Sequence, residues 1–199
     1  MLHKASKLRG TTVQASDGEV GTVQDLYFDN QQWRVKYLAV KTAADAPNDV
    51  VLVPPSAVRA PWNTAGVRVS LTCDEVNRSS PDVVPSDQHL MSSQQLNGCH
   101  IQATDGEIGH VEDFIIDDET WQIRYMVVDT RNWLPGKKVL IAPRWIERVS
   151  WDDSKVYVNL SREAIENGPE YHPDALNREY EGKLYEHYDR PKYWDIPLI

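Results

Sequence analysis

The chain has 199 residues, 41% of them hydrophobic, with seven Trp, nine Tyr, a net charge of −9 and a pI near 5.1. That is the composition of a folded globular protein; it argues against a disordered chain, and the acidic balance counts against nucleic acid as the main partner, since phosphate binding needs a basic face. The two cysteines, Cys73 and Cys99, have no metal-type spacing and are expected to be free thiols. No stretch approaches the ~20 apolar residues of a membrane-spanning helix, and residues 1–12 lack an apolar signal-peptide core, so a cytoplasmic protein is the expectation.

The dominant feature is an internal repeat. LRGTTVQASDGEVGTVQDLYFDNQQWRVKYLAVKT, Leu8–Thr42, returns at constant offset as LNGCHIQATDGEIGHVEDFIIDDETWQIRYMVVDT, Leu96–Thr130. A unit this long implies two copies of one small domain, not a solenoid. The boundaries read as residues 1–78 for the first repeat, 79–93 for a Ser/Pro/Asp-rich linker, 94–170 for the second repeat and 171–199 for a tail.

In chain order, Thr12–Ala15 is a short strand ending in Ser16-Asp17-Gly18, repeated as Thr104-Asp105-Gly106; Asp-Gly is a strong turn signal. A long strand follows at Val20–Asp29 and Ile108–Asp117. Gly21 and Gly109 inside it predict a bulge or tight bend of the kind that curves a sheet. After a polar turn, the spacing predicts a strand over Trp33–Thr42 and Trp121–Thr130. Trp33, Val35 and Tyr37 alternate with Arg34 and Lys36. Leu38–Val40 and Met126–Val128 are apolar on both faces, so something must cover them. Val50–Val53 and Val139–Ile141 read as buried strands, each running into a proline turn. Val67–Leu71 and Val156–Leu160 close each copy, and Thr72 and Ser161 look like N-caps of short helices. Many short strands with turn signals between them predict all-β architecture: two tandem small antiparallel barrels paired as a pseudo-dimer, with the two-sided apolar segments in the contact. In the tail, Pro173 suits a first helical residue. Leu176, Tyr180, Leu184 and Tyr188 then make one stripe on a helix of about four turns, ended by Pro191.

The order strand, Asp17-Gly18-Glu19-Val20-Gly21 (Asp105-Gly106-Glu107-Ile108-Gly109), long strand, turn, Trp, strand, with Val51-Leu52-Val53-Pro54 and Asp129–Ile141, resembles the PRC-barrel family. That family is named for the cytoplasmic domain of the photosynthetic reaction centre H subunit. It also includes a domain of a ribosome maturation factor and many small stand-alone bacterial proteins. The resemblance implies two PRC-type barrels, and the tail, with Arg178–Glu181 and Arg190–Trp194, looks like tails on stand-alone bacterial members.

No catalytic constellation stands out. Asp17/Glu19 and Asp105/Glu107 are carboxylate pairs of the kind acid–base catalysis needs, but each flanks a turn glycine, and hairpin geometry accounts for them. Asp117-Asp118-Glu119 could offer oxygen ligands to a hard cation, yet the first copy keeps one carboxylate of the three. Cys99, His100 and His110 lack a four-ligand zinc pattern. No cofactor is implied, and the chain reads as a non-enzyme. The candidate partner-binding residues are Trp133, Lys137 and Lys138 of the WLPGKK loop, because Trp is enriched among binding hot spots, and Tyr180, Leu184 and Tyr188 of the tail. For the tail stripe, packing against its own barrels is the favoured alternative. The functional expectation is a protein-interaction or assembly (adaptor) module with an unidentified protein partner. The family resemblance adds two alternatives: a peripheral accessory protein of a photosynthetic or electron-transport membrane complex, and, less favoured, a role in ribosome maturation. A homodimer and peripheral membrane association are both compatible with the sequence.

Overall fold

The computed structural model describes residues 1–42, 49–63, 66–79, 89–130 and 137–195. The chain is mostly β. Its first half carries β1 (Leu2–Lys4), β2 (Thr12–Gln14), β3 (Glu19–Asp29), β4 (Arg34–Thr42), β5 (Val50–Val53), β6 (Val58–Asn63), β7 (Gly66–Val69) and α1 (Cys73–Ser79). The second half carries β8 (Leu90–Ser92), α2 (Ser93–Leu96), β9 (His100–Ala103), β10 (Gly106–Asp117), β11 (Ile123–Asp129), β12 (Lys138–Ile141), β13 (Ile146–Ser150), β14 (Lys155–Val158), α3 (Arg162–Glu166) and α4 (Arg178–His187). The strands form two sheets of the same order, β5-β4-β3-β2-β7-β6 and β12-β11-β10-β9-β14-β13. In each, one parallel pair (β2 with β7, β14 with β9) sits among antiparallel ones.

The predicted glycine bends are present. The pairing register shifts beside Gly21 and Gly109, whose φ values are 154° and 143°. A Cβ at either would collide with a backbone carbonyl, that of Lys41 or Asp129, so only glycine lets β3 and β10 approach their neighbours here. The two tryptophans differ from expectation. Trp33 and Trp121 precede their strands in the left-handed region (φ 52° and 58°), donating back to the carbonyls of Asp29 (2.6 Å) and Asp117 (2.8 Å). The turn reverses the chain while both indoles stay buried.

The chain divides into two compact units whose boundary does not follow the repeat: Met1–Asn97 with Asp113–Tyr125, and Gly98–Glu112 with Met126–Ile199. The first unit therefore contains the first repeat together with the end of β10 and the start of β11. Inside it the leaders of the two repeats are exchanged. β1 pairs with β10 (Leu2 opposite Asp117), and β8 pairs with β3 (Leu90 opposite Asp29). These are equivalent residues under the offset that carries Leu8 to Leu96. Val35 N donates to Trp121 O (2.9 Å) and Ile123 N to Trp33 O (2.7 Å), again a reciprocal pair, around an antiparallel bridge between Arg34 and Gln122. Leu90–Ser92, expected in the linker, are thus strand residues.

Two buried aspartates anchor the exchange. Asp25 accepts from the hydroxyls of Ser92 and Ser93 (2.7 Å for the latter) and from Leu26 N (2.7 Å). Its counterpart Asp113 accepts from Ser6 N (3.1 Å), Ser6 Oγ (2.5 Å) and Phe114 N (2.8 Å). A buried carboxylate is tolerable because donors replace its lost water. Leu38–Val40 and Met126–Val128 are buried, as their two-sided apolar pattern requires.

Candidate interaction surface

Both repeats build the same short frame after their buried strands. In the first, Pro55–Ala57 form a 3₁₀ turn: Ala57 N donates to Pro54 O (3.0 Å) and Ser70 N to Ala57 O (2.8 Å). Cys73 N, opening α1, donates to the Asp17 carboxylate (2.8 Å). In the second, Pro143–Trp145 turn likewise: Trp145 N donates to Ala142 O (2.9 Å), Asn159 N to Trp145 O (2.8 Å) and Arg162 N to the Asp105 carboxylate (2.8 Å). Asp17 and Asp105 thus act as helix-start acceptors, which accounts for one carboxylate of each sequence pair. The Cys73 hydrogen bond holds the Asp17 carboxyl below its usual range. Thr72 and Ser161 cap as expected, Ser161 Oγ accepting from Ala164 N (3.1 Å) and Thr72 Oγ1 from Glu75 N (3.2 Å).

In the second repeat the groove between the proline turn and α3 is filled by the tail. The helix there is shorter than predicted. Residues Pro173–Ala175 are 3₁₀, and α4 starts only after Asn177, whose side chain accepts from Tyr180 N (2.9 Å). Trp145 contacts Tyr185 and Tyr188 with ring centroids 5.4 and 4.8 Å apart. His187 Nε2 meets Ala164 O at 2.7 Å, and Arg190 donates to Asn159 O (3.0 Å). Of the predicted stripe, Leu184 and Tyr188 are buried and Tyr180 is half-buried, its hydroxyl donating to Pro169 O (3.3 Å). Burial pushes the phenols of Tyr180 and Tyr188 up from their ordinary range. Tyr185, off the predicted i, i+4 stripe, is as buried as Leu184; its only sequence signal was its place beside the stripe.

In the first repeat no described residue fills the corresponding groove, which has a volume of about 650 Å³ and is lined by Pro54, Ser56, Ala57, Leu71, Glu75 and Arg78 among others. Ala57 stands where the second repeat has Trp145.

The WLPGKK loop lies mostly outside the described residues, Trp133 included. Its two lysines are described. Lys138 Nζ pairs with Glu112 and Lys137 Nζ with the Glu166 carbonyl. Tyr171 N donates to Lys138 O (2.7 Å), which ties the start of the tail to the same strand. Burial would raise the carboxyl of Asp117, of the acidic turn, but hydrogen bonds from Arg124 (2.7 Å), Thr120 and Glu119 N, with the Arg124 charge, together hold it low. Asp118 instead meets His3 Nε2 at 3.0 Å. His100 Nδ1 lies 2.8 Å from Glu107. Burial raises both thiols, Cys73's further through Asp17, away from reactive thiolate. Among the described residues no group of three or more His, Cys, Asp or Glu is placed to hold a metal ion, and no helix is long and apolar enough to cross a membrane.

A 69-residue stretch, 34% of the chain, is 39% identical to an uncharacterized protein of Deinococcus radiodurans; the match spans 24% of that relative's length. The model of the PRC-barrel domain matches residues 2–66 and again 89–165. Together these segments cover most of the chain, once per repeat, and the chain belongs to the PRC-barrel domain family.

Proposed function

We propose that the protein is a non-enzymatic interaction or assembly module, in which two PRC-type barrels act as a holder for protein segments. One observation carries this reading: the second repeat seats an aromatic helix, α4, in a groove that both repeats build from the same frame. The architecture suits the role. The two repeats pair as a pseudo-dimer, supported by the exchanged leaders and by the reciprocal hydrogen bonds around Arg34 and Gln122. Strand exchange ties the copies together, because each leader completes the other's sheet. Barrel closure fits the strand order, whose end strands in the first repeat, β5 and β6, are joined by a single 3₁₀ turn.

The test is chemical cross-linking of the full chain in its native host, identification of the cross-linked protein by mass spectrometry, and reconstitution of the purified pair. The expected result is a complex of fixed stoichiometry. A chain that stays uncross-linked and migrates alone at every concentration would remove the adaptor reading.

A further inference from the structure

Two histidines of the second repeat, His100 on β9 and His110 on β10, stand directly opposite each other in the antiparallel register. They form a pair of the close kind. His100 N donates away from β10, to Ser154 O (2.9 Å), and the ladder bond beside the pair runs from Val111 N to Cys99 O (2.9 Å). Side chains of such a non-hydrogen-bonded pair share one face of the sheet with Cβ atoms about 4.5–5.5 Å apart, which puts two imidazoles within reach of one common atom. That face is the outer one. Cys99, Ile101 and Val111 are buried, whereas the His100 side chain is 47% exposed and His110 is half-buried. Packing does not call for imidazoles here. The equivalent pair of the first repeat, in the same register, is Thr12 with Thr22, so the two positions differ between the repeats together and the frame accepts hydroxyls in place of rings.

The bulge at Gly109 brings a carboxylate to the same face. Glu107 pairs with Gln102 and His110 with His100, so the extra residue between them leaves Glu107 and His110 on one side of the strand. Glu107 Oε1 lies 2.8 Å from His100 Nδ1. Nδ1 therefore carries the proton it shares with the carboxylate, and the lone pair of the neutral ring sits on Nε2. A carboxylate in this position fixes the tautomer and the aim of a metal-ligating imidazole. Lys155, beside His100 on β14, is engaged by Glu107 Oε2 (3.6 Å) and Gln102 Oε1 (3.3 Å). No hydrogen bond from a described residue engages the His110 ring.

We infer that His100 and His110 form a binding site for one divalent transition-metal ion of the zinc and copper class, with Glu107 as the positioning residue. Imidazole suits these ions, whereas Mg²⁺ and Ca²⁺ take oxygen ligands. Among the described residues no group of three or more His, Cys, Asp or Glu is placed to hold a metal, so the set is two imidazoles with water in the other positions. Two protein ligands make an open, exchangeable site, unlike the closed four-ligand structural zinc sites. The two ligands are joined only by strand pairing, which is why no short ligand spacing announces them. This inference is independent of the adaptor reading.

The test is calorimetric titration of the untagged full-length protein with ZnCl₂ and, separately, CuCl₂, with MgCl₂ as the control. The expected result is one ion per chain for Zn²⁺ and Cu²⁺, tighter for Cu²⁺, no binding of Mg²⁺, and a thermal midpoint that rises with Zn²⁺. The Cu²⁺ spectrum in electron paramagnetic resonance should show coupling to two imidazole nitrogens. Glu107→Ala should weaken binding about tenfold or more through lost orientation, and Glu107→Gln, which keeps an acceptor, should restore part of it. His100→Thr and His110→Thr install the residues of the first repeat; each should weaken binding by at least as much as Glu107→Ala, with an unchanged metal-free thermal midpoint. Absence of Zn²⁺ and Cu²⁺ binding overturns the inference. So does binding that the double variant retains, since the ion would then sit on other histidines. Wild-type affinity in either single Thr variant overturns the pairing, and wild-type affinity in Glu107→Ala overturns the role given to that carboxylate.

Discussion

Trp145 and Ala57 occupy the same place in two copies of one frame, and they lead to opposite surfaces. In the second repeat an indole at the groove floor gives Tyr185 and Tyr188 something to pack on, so the chain covers the site with its own helix. In the first, a methyl group stands there and no described residue fills the groove. The backbone around both is held by the same donors and acceptors, Asp17 and Asp105 at the helix starts and the proline turns beside them. The comparison teaches that a duplicated domain can keep its frame through a few backbone-directed residues while the side chain on the groove floor changes from an indole to a methyl group.

The sharpest way to break the comparison is at the glycines both frames need. Gly21→Ala and Gly109→Ala each drive a Cβ into a carbonyl and are expected to cost upwards of about 4 kcal/mol, a severe effect with a named steric cause. Denaturant titration should show similar losses for the two. A mild effect at only one would mean that the two bulges are not equivalent.

Next in size is Trp145→Ala, expected to cost about 3–5 kcal/mol by loss of a buried aromatic and to make residues 171–195 susceptible to limited proteolysis. A tail that stayed protected would show that α4 is held by its polar contacts and not by the rings.

Third, Asp25→Ala and Asp113→Ala remove the acceptors that hold the exchanged leaders. Stranding buried donors costs about 1–3 kcal/mol per site, and Asp25, with two serine hydroxyls to hold, should lie at the upper end. Equal and negligible losses would argue that the leaders are held by strand pairing alone.

The smallest effect is expected at Tyr188→Phe. No described residue accepts the buried Tyr188 hydroxyl, so its removal should change neutral-pH stability by less than about 1 kcal/mol. The pH dependence gives the finer test. Burial raises the folded-state pKa of Tyr180 and Tyr188 above the unfolded value near 10. The folded state therefore favours the protonated phenols. Their contribution is fully present below about pH 10 and is lost as the unfolded phenols ionise above it. Thermal midpoints of the wild type should fall above that pH, and Tyr188→Phe should fall less. Identical alkaline slopes would place the sensitivity elsewhere.

How much could be read in advance depended on the kind of signal. The repeat, the glycine bulges, the buried strand runs and the helix caps at Thr72 and Ser161 all come from local chemistry: periodicity, φ > 0 and side-chain to backbone hydrogen bonds act over a few residues and leave a local pattern. The tail helix was legible as a stripe, but its start was not. Asn177 offered a competing cap, and the 3₁₀ turn at Pro173–Ala175 separated the proline from the helix it was expected to begin. Asp25 and Asp113 carried no signal, since a charged residue within a strand reads as a solvent-facing one until its donors are known. Those donors belong to segments far away in the chain, Ser92 and Ser93 for one and Ser6 for the other.

By itself, the sequence determined the family, the duplication and the strand and turn inventory, because these depend on local backbone preference and on a pattern written twice. Only the tertiary structure decided that the leaders cross between the repeats, that α4 covers the second groove and that no described residue fills the first. Strand pairing and groove occupancy depend on which distant surfaces meet and on the volume left between them, and neither quantity is encoded in any one stretch of chain.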